Sequence, residues 1–387
     1  NALGTVTTLA YINPGSGGTI TIPSAASIAS RSSLNAGGHV YFDASGTTHS
    51  TISDTEHELF YAWDFGDDVG ETWAYGTNTS QNKNAAYGPQ AAHVYKSAGT
   101  KTWTLVVIDG AGGTSTRTGT ITVSAWAEAD TYYVAYGATP VSGANGIPGG
   151  GGAAGYINTT SLTTALSYCA NGKRVLLRKG DTWTAAGQIT KTNLSNMEIG
   201  AYGLSGANPI INSTTTTTYD TVLAFSGTSG SDVRVCNLTF TRTVADVESW
   251  CVTNLGTPHF TLHGCDITGN YTGIGFGITP LQLVDTCCIS ECNVHDICTG
   301  NTDGGGISGW GAYLESMSKL AIIGSYWDNA LTSHLVRIPG CNIGYIANNY
   351  FGRARRGWGG SSGHVLTIRG FTNSPMGTFA GVYVEKI

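Results

Sequence analysis

Val235-Cys236-Asn237-Leu238, Gly264-Cys265-Asp266-Ile267 and Glu291-Cys292-Asn293-Val294 are three copies of one short pattern. In each, a small buried-type residue follows an apolar strand, and Asn or Asp comes next, then an apolar residue. Gly324-Ser325-Tyr326-Trp327 and Ala347-Asn348-Asn349-Tyr350 are looser copies. The small residues recur at intervals of 29, 27, 33 and 23. A period of that size marks a stacked array of similar units. The strands are short, and no amphipathic helix separates them, so the spacing predicts a parallel β-helix. Equivalent residues of neighbouring coils then lie roughly 4.8 Å apart. The pattern predicts a buried column of Cys236, Cys265, Cys292 and Ser325. Beside it, Asn237, Asp266, Asn293 and Asn349 are expected at the tight corner, because Asn and Asp tolerate left-handed backbone.

The bulk composition agrees with a β-rich chain. Charged residues make up only 11% of 387 positions, and Thr, Ser and Asn fill the polar sites instead. Hydrophobic residues at 41% are enough for a packed core, which excludes a disordered chain. A net charge of −6 gives no basic field for nucleic acid. No run of apolar residues is long enough for a membrane span. The chain starts at Asn1 without Met or a signal segment, as a processed, exported chain would and as a trimmed one would. All nine cysteines fall between Cys169 and Cys341. An odd count leaves at least one thiol outside any intrachain pairing. A bridge such as Cys236–Cys265 and a set of reduced, buried cysteines are both compatible with stacking.

Taken in order, residues 1–30 read as an extended N-terminal segment. Residues 31–124 carry short alternating strands: Val40-Tyr41-Phe42-Asp43, Tyr61-Ala62-Trp63-Asp64-Phe65-Gly66-Asp67, His93-Val94-Tyr95, Trp103 to Asp109 and Thr116 to Val123. That spacing predicts an antiparallel β-sandwich. Residues 125–131 form a linker, and 132–387 the β-helix. Ser161 to Cys169 has helical spacing and is placed to cap the first coil.

Two resemblances attach to these residues. The Trp-Asp-Phe-Gly-Asp run from Trp63, the His-x-Tyr strand at His93 and the Ala-Gly-Thr turn at Ala98 resemble the PKD domain, an immunoglobulin-like module of secreted and surface proteins. The chain departs from that pattern in a long insertion from Val69 to Pro89 and in Asp68, where the family has Gly. The resemblance implies a spacer, docking or glycan-binding role. Asp64, Asp67 and Asp68 offer oxygens for a calcium ion, although turn stabilisation is the commoner use of such residues. No other cofactor is expected. Further on, Tyr132-Tyr133-Val134, Leu176-Leu177-Arg178-Lys179-Gly180-Asp181-Thr182-Trp183 and Ile199-Gly200-Ala201-Tyr202-Gly203 with Pro209-Ile210-Ile211 resemble the start of right-handed parallel β-helices of the pectate-lyase-like superfamily. The expected fold is therefore all-β, an immunoglobulin-like sandwich followed by a right-handed parallel β-helix.

That superfold carries many activities, so chemistry has to come from residues. Asn301-Thr302-Asp303 resembles the first motif of polygalacturonases, but their later Asp-Asp pair and Gly-His-Gly are missing. Arg337-Ile338-Pro339 resembles part of a pectate-lyase strand, with Asn342 where that family has a final Arg. Trp327-Asp328 resembles part of another lyase motif, without its His. A uronate lyase needs a cation to neutralise the sugar carboxylate and a base for the adjacent proton. His334, Arg337, Arg356 and Arg369 are the catalytic candidates. Trp310, Tyr313, Arg353, Arg355 and Trp358 are the carbohydrate-binding candidates. His334 and His364 are 30 residues apart and become neighbours if their strands stack. The residues leave open whether the chain is an enzyme and favour a polysaccharide lyase over a glycoside hydrolase.

Two functions follow as expectations. One is an extracellular or cell-surface protein that engages an acidic polysaccharide, with lyase-type cleavage. The other is a structural subunit of a surface fibre, appendage or phage tail that self-assembles into a homo-oligomer or filament. The apolar strand Phe379-Ala380-Gly381-Val382-Tyr383-Val384 motivates the second, because an unpaired strand edge invites pairing with another copy.

Overall fold

The computed structural model describes residues 17–67, 70–75, 81–218, 220–244, 249–269, 273–278, 283–298, 309–330, 334–354 and 363–368, and the backbone of 381–385. The chain is all-β and divides into two compact units, the first built chiefly on residues up to Ala125 and the second on residues from Trp126.

In the first unit, Ser33–Asn35, Thr114–Ser124, Gly99–Ile108, Phe60–Asp64 and Ala85–Tyr87 form a five-stranded sheet in that order. Gly38–Asp43 pairs with Gln90–Tyr95 in a second sheet. Alternation along these strands sends Trp63, Leu105, Val107 and Ile121 inward and leaves alternate threonines in solvent. The core is aromatic: Phe42 lies 5.5 Å from Trp63 and 5.6 Å from Trp103, ring centre to ring centre. Gly119 makes room for it, since a β-carbon there would come within 2.5 Å of the Trp103 ring. The described part, residues 17–30, of the stretch set apart by sequence as an extended segment packs on this sandwich. Ile20–Thr21 pairs with Thr48–His49, Ile22 and Ile28 are buried, and Arg117 donates to the Ile22 carbonyl at 2.9 Å. Part of the insertion after Val69 supplies the edge strand Ala85–Tyr87.

In the second unit, three sheets built from parallel strand pairs run along the coils, one of ten strands and two of seven among the described residues, and the pairs of the first are parallel from Gly155–Asn158 to Met317–Ile323. Sheet I starts with Gly155–Asn158 and Thr131–Ala135 and continues through Arg174–Arg178, Ser195–Tyr202, Ser231–Cys236, Phe260–His263 and Val284–Ser290. Sheet II runs from Thr182–Ala185 to Tyr350–Phe351, and sheet III from Ile189–Thr192 to Leu366–Ile368. Each full coil visits I, II and III in turn. Because the sheets are parallel and in register, like residues stack. Val175, Ile199, Val235, Leu262, Ile289 and Ile322 form one buried inner column. Trp183, Ile211, Phe240, Ile267, Val294 and Trp327 form another. The helical spacing after Ser161 yields a short helix, Leu162–Leu166. The Ser161 hydroxyl accepts from the Thr164 amide at 3.2 Å, and Leu162, Ala165 and Leu166 are buried. The C-terminal strand, Gly381–Glu385, is the last strand in the order of sheet I, beside Cys341–Ala347.

The corner between sheets I and II corrects the expected columns. The residues with left-handed backbone are Asn237, Gly264, Glu291, Gly324 and Asn348, with φ between 52° and 62°. The buried residue after each corner is Leu238, Cys265, Cys292, Ser325 and Asn349. Asp266 and Asn293 come one position later, level with Thr239. Cys236 therefore lies outside the cysteine column, at the end of its sheet I strand and level with His263. The repeat in the sequence was real, but Cys236 and Asn348 were matched one or two positions out of phase. Carbonyl–amide bonds set the true register: the Asp266 amide donates to Leu238 at 2.9 Å, Asn293 to Cys265 at 2.8 Å and Tyr326 to Cys292 at 2.8 Å. At the last corner described, Asn349 replaces a small apolar residue, accepting from the Ser325 amide at 2.9 Å and donating to the Ile322 carbonyl at 2.7 Å.

Gly264→Ala places a β-carbon in a left-handed corner at φ 62° and 2.4 Å from Asn237 Oδ1. The expected cost is about 1–2 kcal/mol. Chemical denaturation followed by circular dichroism measures it, and an unchanged midpoint contradicts the corner assignment.

Candidate functional site

On sheet III the inward column Leu223, Val252, Ile274, Ala312, Val336 fixes what faces out. The residue after each makes an outer column of Ala224, Thr253, Gly275, Tyr313 and Arg337, which Thr367 on the next strand continues. Gly275 leaves a gap in that column, and Trp250 fills it: a β-carbon at Gly275 would meet the Trp250 ring at 2.9 Å. Trp250 stacks on Trp310 at 5.9 Å with the planes 23° apart, and Trp310 lies 4.7 Å from Tyr313. The Arg337 guanidinium rests over both rings, 5.9 Å from Trp310 and 5.4 Å from Tyr313. Such cation–π contacts hold a charge on a largely apolar bed without neutralising it. Among the described residues no carboxylate oxygen comes within 4 Å of Arg337, and its Nε is buried without a hydrogen-bond partner. The nearby Glu315 carboxyl is pushed up by burial, against a hydrogen bond from Tyr313 and the charge of Arg337.

The stacking expected of His334 and His364 is present. The Gly311 amide donates to the His334 carbonyl, and the Leu335 amide to the His364 carbonyl, each at 3.1 Å, so the two histidines sit on successive coils next to the rung of Trp310. Their rings are 5.0 Å apart, and His364 Nδ1 lies 3.3 Å from His334 Nε2. The two ring nitrogens are within hydrogen-bond distance, with donor and acceptor set by the tautomers.

Of the residues singled out from sequence, the structure gathers Trp310, Tyr313 and Arg337 into one cluster and places His334 on the adjoining rungs. Arg353 goes elsewhere. It follows the sheet II strand Tyr350–Phe351 and closes a two-pronged pair on Asp328, with Nη2 to Oδ2 at 2.9 Å and Nε to Oδ1 at 3.2 Å. Its backbone amide adds a third bond to Asp328 at 2.6 Å. The Asp328 pairing ties Arg353 to the sheet II side of the coil, apart from the cluster on sheet III. Arg355, Arg356, Trp358 and Arg369 lie outside the described residues, as do Asn301, Thr302 and Asp303.

Sequence reading missed Trp250 and Glu315. Trp250 is 60 positions before Trp310, and only the coil brings them together. It also missed a polar strap on the outer face of sheet II. His295 bonds Asp266 on the preceding coil through Nε2 at 3.0 Å, and Asp296 through Nδ1 at 2.8 Å. Asn329, on the next coil, donates to Asp296. The bond to Asp266 raises His295 to about 9, with Asp296 adding to it and burial opposing it. The Arg353 pairing holds Asp328 down to about 2.

In the first unit, Asp64 and Asp67 serve the turn. Asp64 Oδ1 accepts from the Gly66 amide and from Asn84, both at 2.8 Å. Asp67 bonds Lys101 at 2.6 Å, His93 at 3.0 Å and the Ser97 hydroxyl at 3.2 Å. Burial raises the Asp67 carboxyl, but its bonds to His93 and Lys101 outweigh that and bring it to about 2. Asp68 lies outside the described residues. Among the described residues no group of three His, Cys, Asp or Glu side chains is arranged to hold a metal ion.

The second unit is defined by its fold, a right-handed parallel β-helix with a half-buried aromatic and cationic face on sheet III. The first has a family: the PKD domain family matches residues 21–124, and that unit is a PKD domain. No curated protein matches the chain. Among the described residues no helix is long and apolar enough to cross a membrane.

His295 supplies a test of the sheet II geometry. Its folded value near 9 stands above the ordinary 6.5. The stability it contributes is therefore complete below pH 6.5 and lost as pH rises through about 9. NMR titration is expected to show one imidazole titrating near 9 that moves toward 6.5 in Asp266→Asn. A His295 resonance that titrates near 6.5 in the unmodified protein contradicts the strap.

Proposed function

We propose that the chain is an extracellular polysaccharide-engaging protein whose sheet III face binds an acidic glycan. The carrying observation is Arg337 lying on Trp310 and Tyr313 with no carboxylate ion-paired to it among the described residues. A sugar carboxylate meets that charge, and a sugar ring rests beside the aromatic side chains. A charge-assisted hydrogen bond of this kind contributes about 1.5–3 kcal/mol. The PKD domain, typical of extracellular proteins, supports the location and serves as spacer or docking module.

The histidine pair extends the reading to lyase-type cleavage. With the uronate carboxylate neutralised by Arg337, the neighbouring carbon-bound proton becomes more acidic. A neutral imidazole of the His334–His364 pair takes that proton as the bond to the next sugar's oxygen breaks, and the departing oxygen collects a proton. The product carries a carbon–carbon double bond conjugated to the carboxylate.

Binding of polygalacturonate is expected to weaken as salt rises, to exceed binding of a neutral glucan of equal length, and to fall at least about tenfold in Arg337→Ala. Equal affinity for the neutral and acidic polymers, or an Arg337→Ala variant that binds undiminished, removes the proposal. Cleavage is read separately: new ultraviolet absorbance from unsaturated ends, lost in His334→Ala, supports the lyase step, and binding without that absorbance removes the step alone.

A further inference from the structure

The nine cysteines are all buried, and all are thiols in this structure. Two of them share one column. Cys265 and Cys292 each follow a left-handed corner, at Gly264 and Glu291, on successive coils. The bond from the Asn293 amide to the Cys265 carbonyl, 2.8 Å, fixes them in register. In-register neighbours on parallel strands lie about 4.7–4.9 Å apart, inside the range of α-carbon separations that a disulfide spans. Their side chains also point alike. Cys265 Sγ lies 3.6 Å from the Val235 carbonyl, and Cys292 Sγ lies 3.6 Å from the Leu262 carbonyl, the equivalent position one coil on. Cys236 lacks this relation, because it ends a sheet I strand and stacks on His263.

We infer that Cys265 and Cys292 form an intrachain disulfide site that staples two neighbouring coils when the chain folds in the presence of a disulfide donor. The exchange is balanced. One cysteine thiolate attacks the donor RS–SR and releases one RS⁻. The second cysteine, as thiolate, attacks the mixed disulfide and releases another. One sulfur–sulfur bond breaks in the donor, one forms in the protein, and the two cysteine protons end on two RSH molecules. In the finished coil each residue is only 1% exposed, and burial pushes the Cys265 thiol well above its ordinary value. Exchange therefore precedes closure of the coil, and the closed coil then shields the bond from reductants. Asp266 begins the sheet II strand that follows Cys265, and His295 lies three positions after Cys292, so the staple and the sheet II strap join the same two coils.

Peptide mapping decides the matter. Chain refolded in a reduced and oxidised glutathione buffer, alkylated, and cleaved before aspartates gives Asp246–Cys265 and Asp285–His295 as separate peptides if unlinked. The expected result is a single species holding both, two hydrogens lighter than their sum with those two thiols free, present in Cys251→Ser, Cys287→Ser and Cys288→Ser and absent in Cys265→Ser and Cys292→Ser. Serine is suited to this column, because Ser325 occupies the next place in it and donates to the Ile323 carbonyl at 3.2 Å. Circular dichroism establishes that each variant has folded. Full alkylation of every cysteine after folded chain is recovered from the redox buffer overturns the assignment, as does a linked species that persists in folded Cys265→Ser.

Discussion

The β-helix depends on the in-register backbone ladder between coils. Each strand of sheets I, II and III donates to and accepts from the strand one coil away, so a residue's neighbours are decided by its position in the coil. The ladder turns a loose sequence repeat into continuous columns, and the columns bury the apolar surface. It also demands a corner where the backbone turns left-handed without breaking the ladder. Asn237, Gly264, Glu291, Gly324 and Asn348 meet that demand. Glu291 is the unusual member, since left-handed backbone costs most residues about 1–2 kcal/mol.

The ladder explains why the polar and aromatic clusters sit on the outside of the coil. Inward positions are filled by stacked aliphatic and aromatic side chains, which leaves alternate outward positions for polar and aromatic groups. On sheet III, Gly275 opens the outer column enough for Trp250 to join Trp310 and Tyr313 beneath Arg337. On sheet II the same geometry lines up Asp266, His295 and Asp296, and then Asp328 with Arg353, so that opposite charges on neighbouring coils satisfy each other. A chain with few charges has placed several of them as ties between coils, and Arg337 stands apart as a cation bedded on rings.

Much of this was legible in the residues. The interval between Cys265 and Cys292 announced stacked coils, and the strands of the PKD domain were readable from alternation around Trp63 and Trp103. The neighbouring positions of His334 and His364 followed from equal spacing once strands were assumed to stack. Phase was harder to read. Cys236 looks like Cys265 in its local sequence, yet it occupies a different level of the coil, because the corner is turned by asparagine in one coil and by glycine or Glu291 in others.

Sequence by itself determined the class of fold: alternation, turn residues and a recurring interval are properties of neighbouring positions, and the backbone reads them directly. Tertiary structure alone decided which side chains meet. Trp250 reaches Trp310, Arg353 is taken by Asp328, and Asp266 reaches His295 because each coil brings residues tens of positions apart to within one strand spacing. Loops of unequal length set those distances, and a shift of one residue in register sends a side chain to the opposite face.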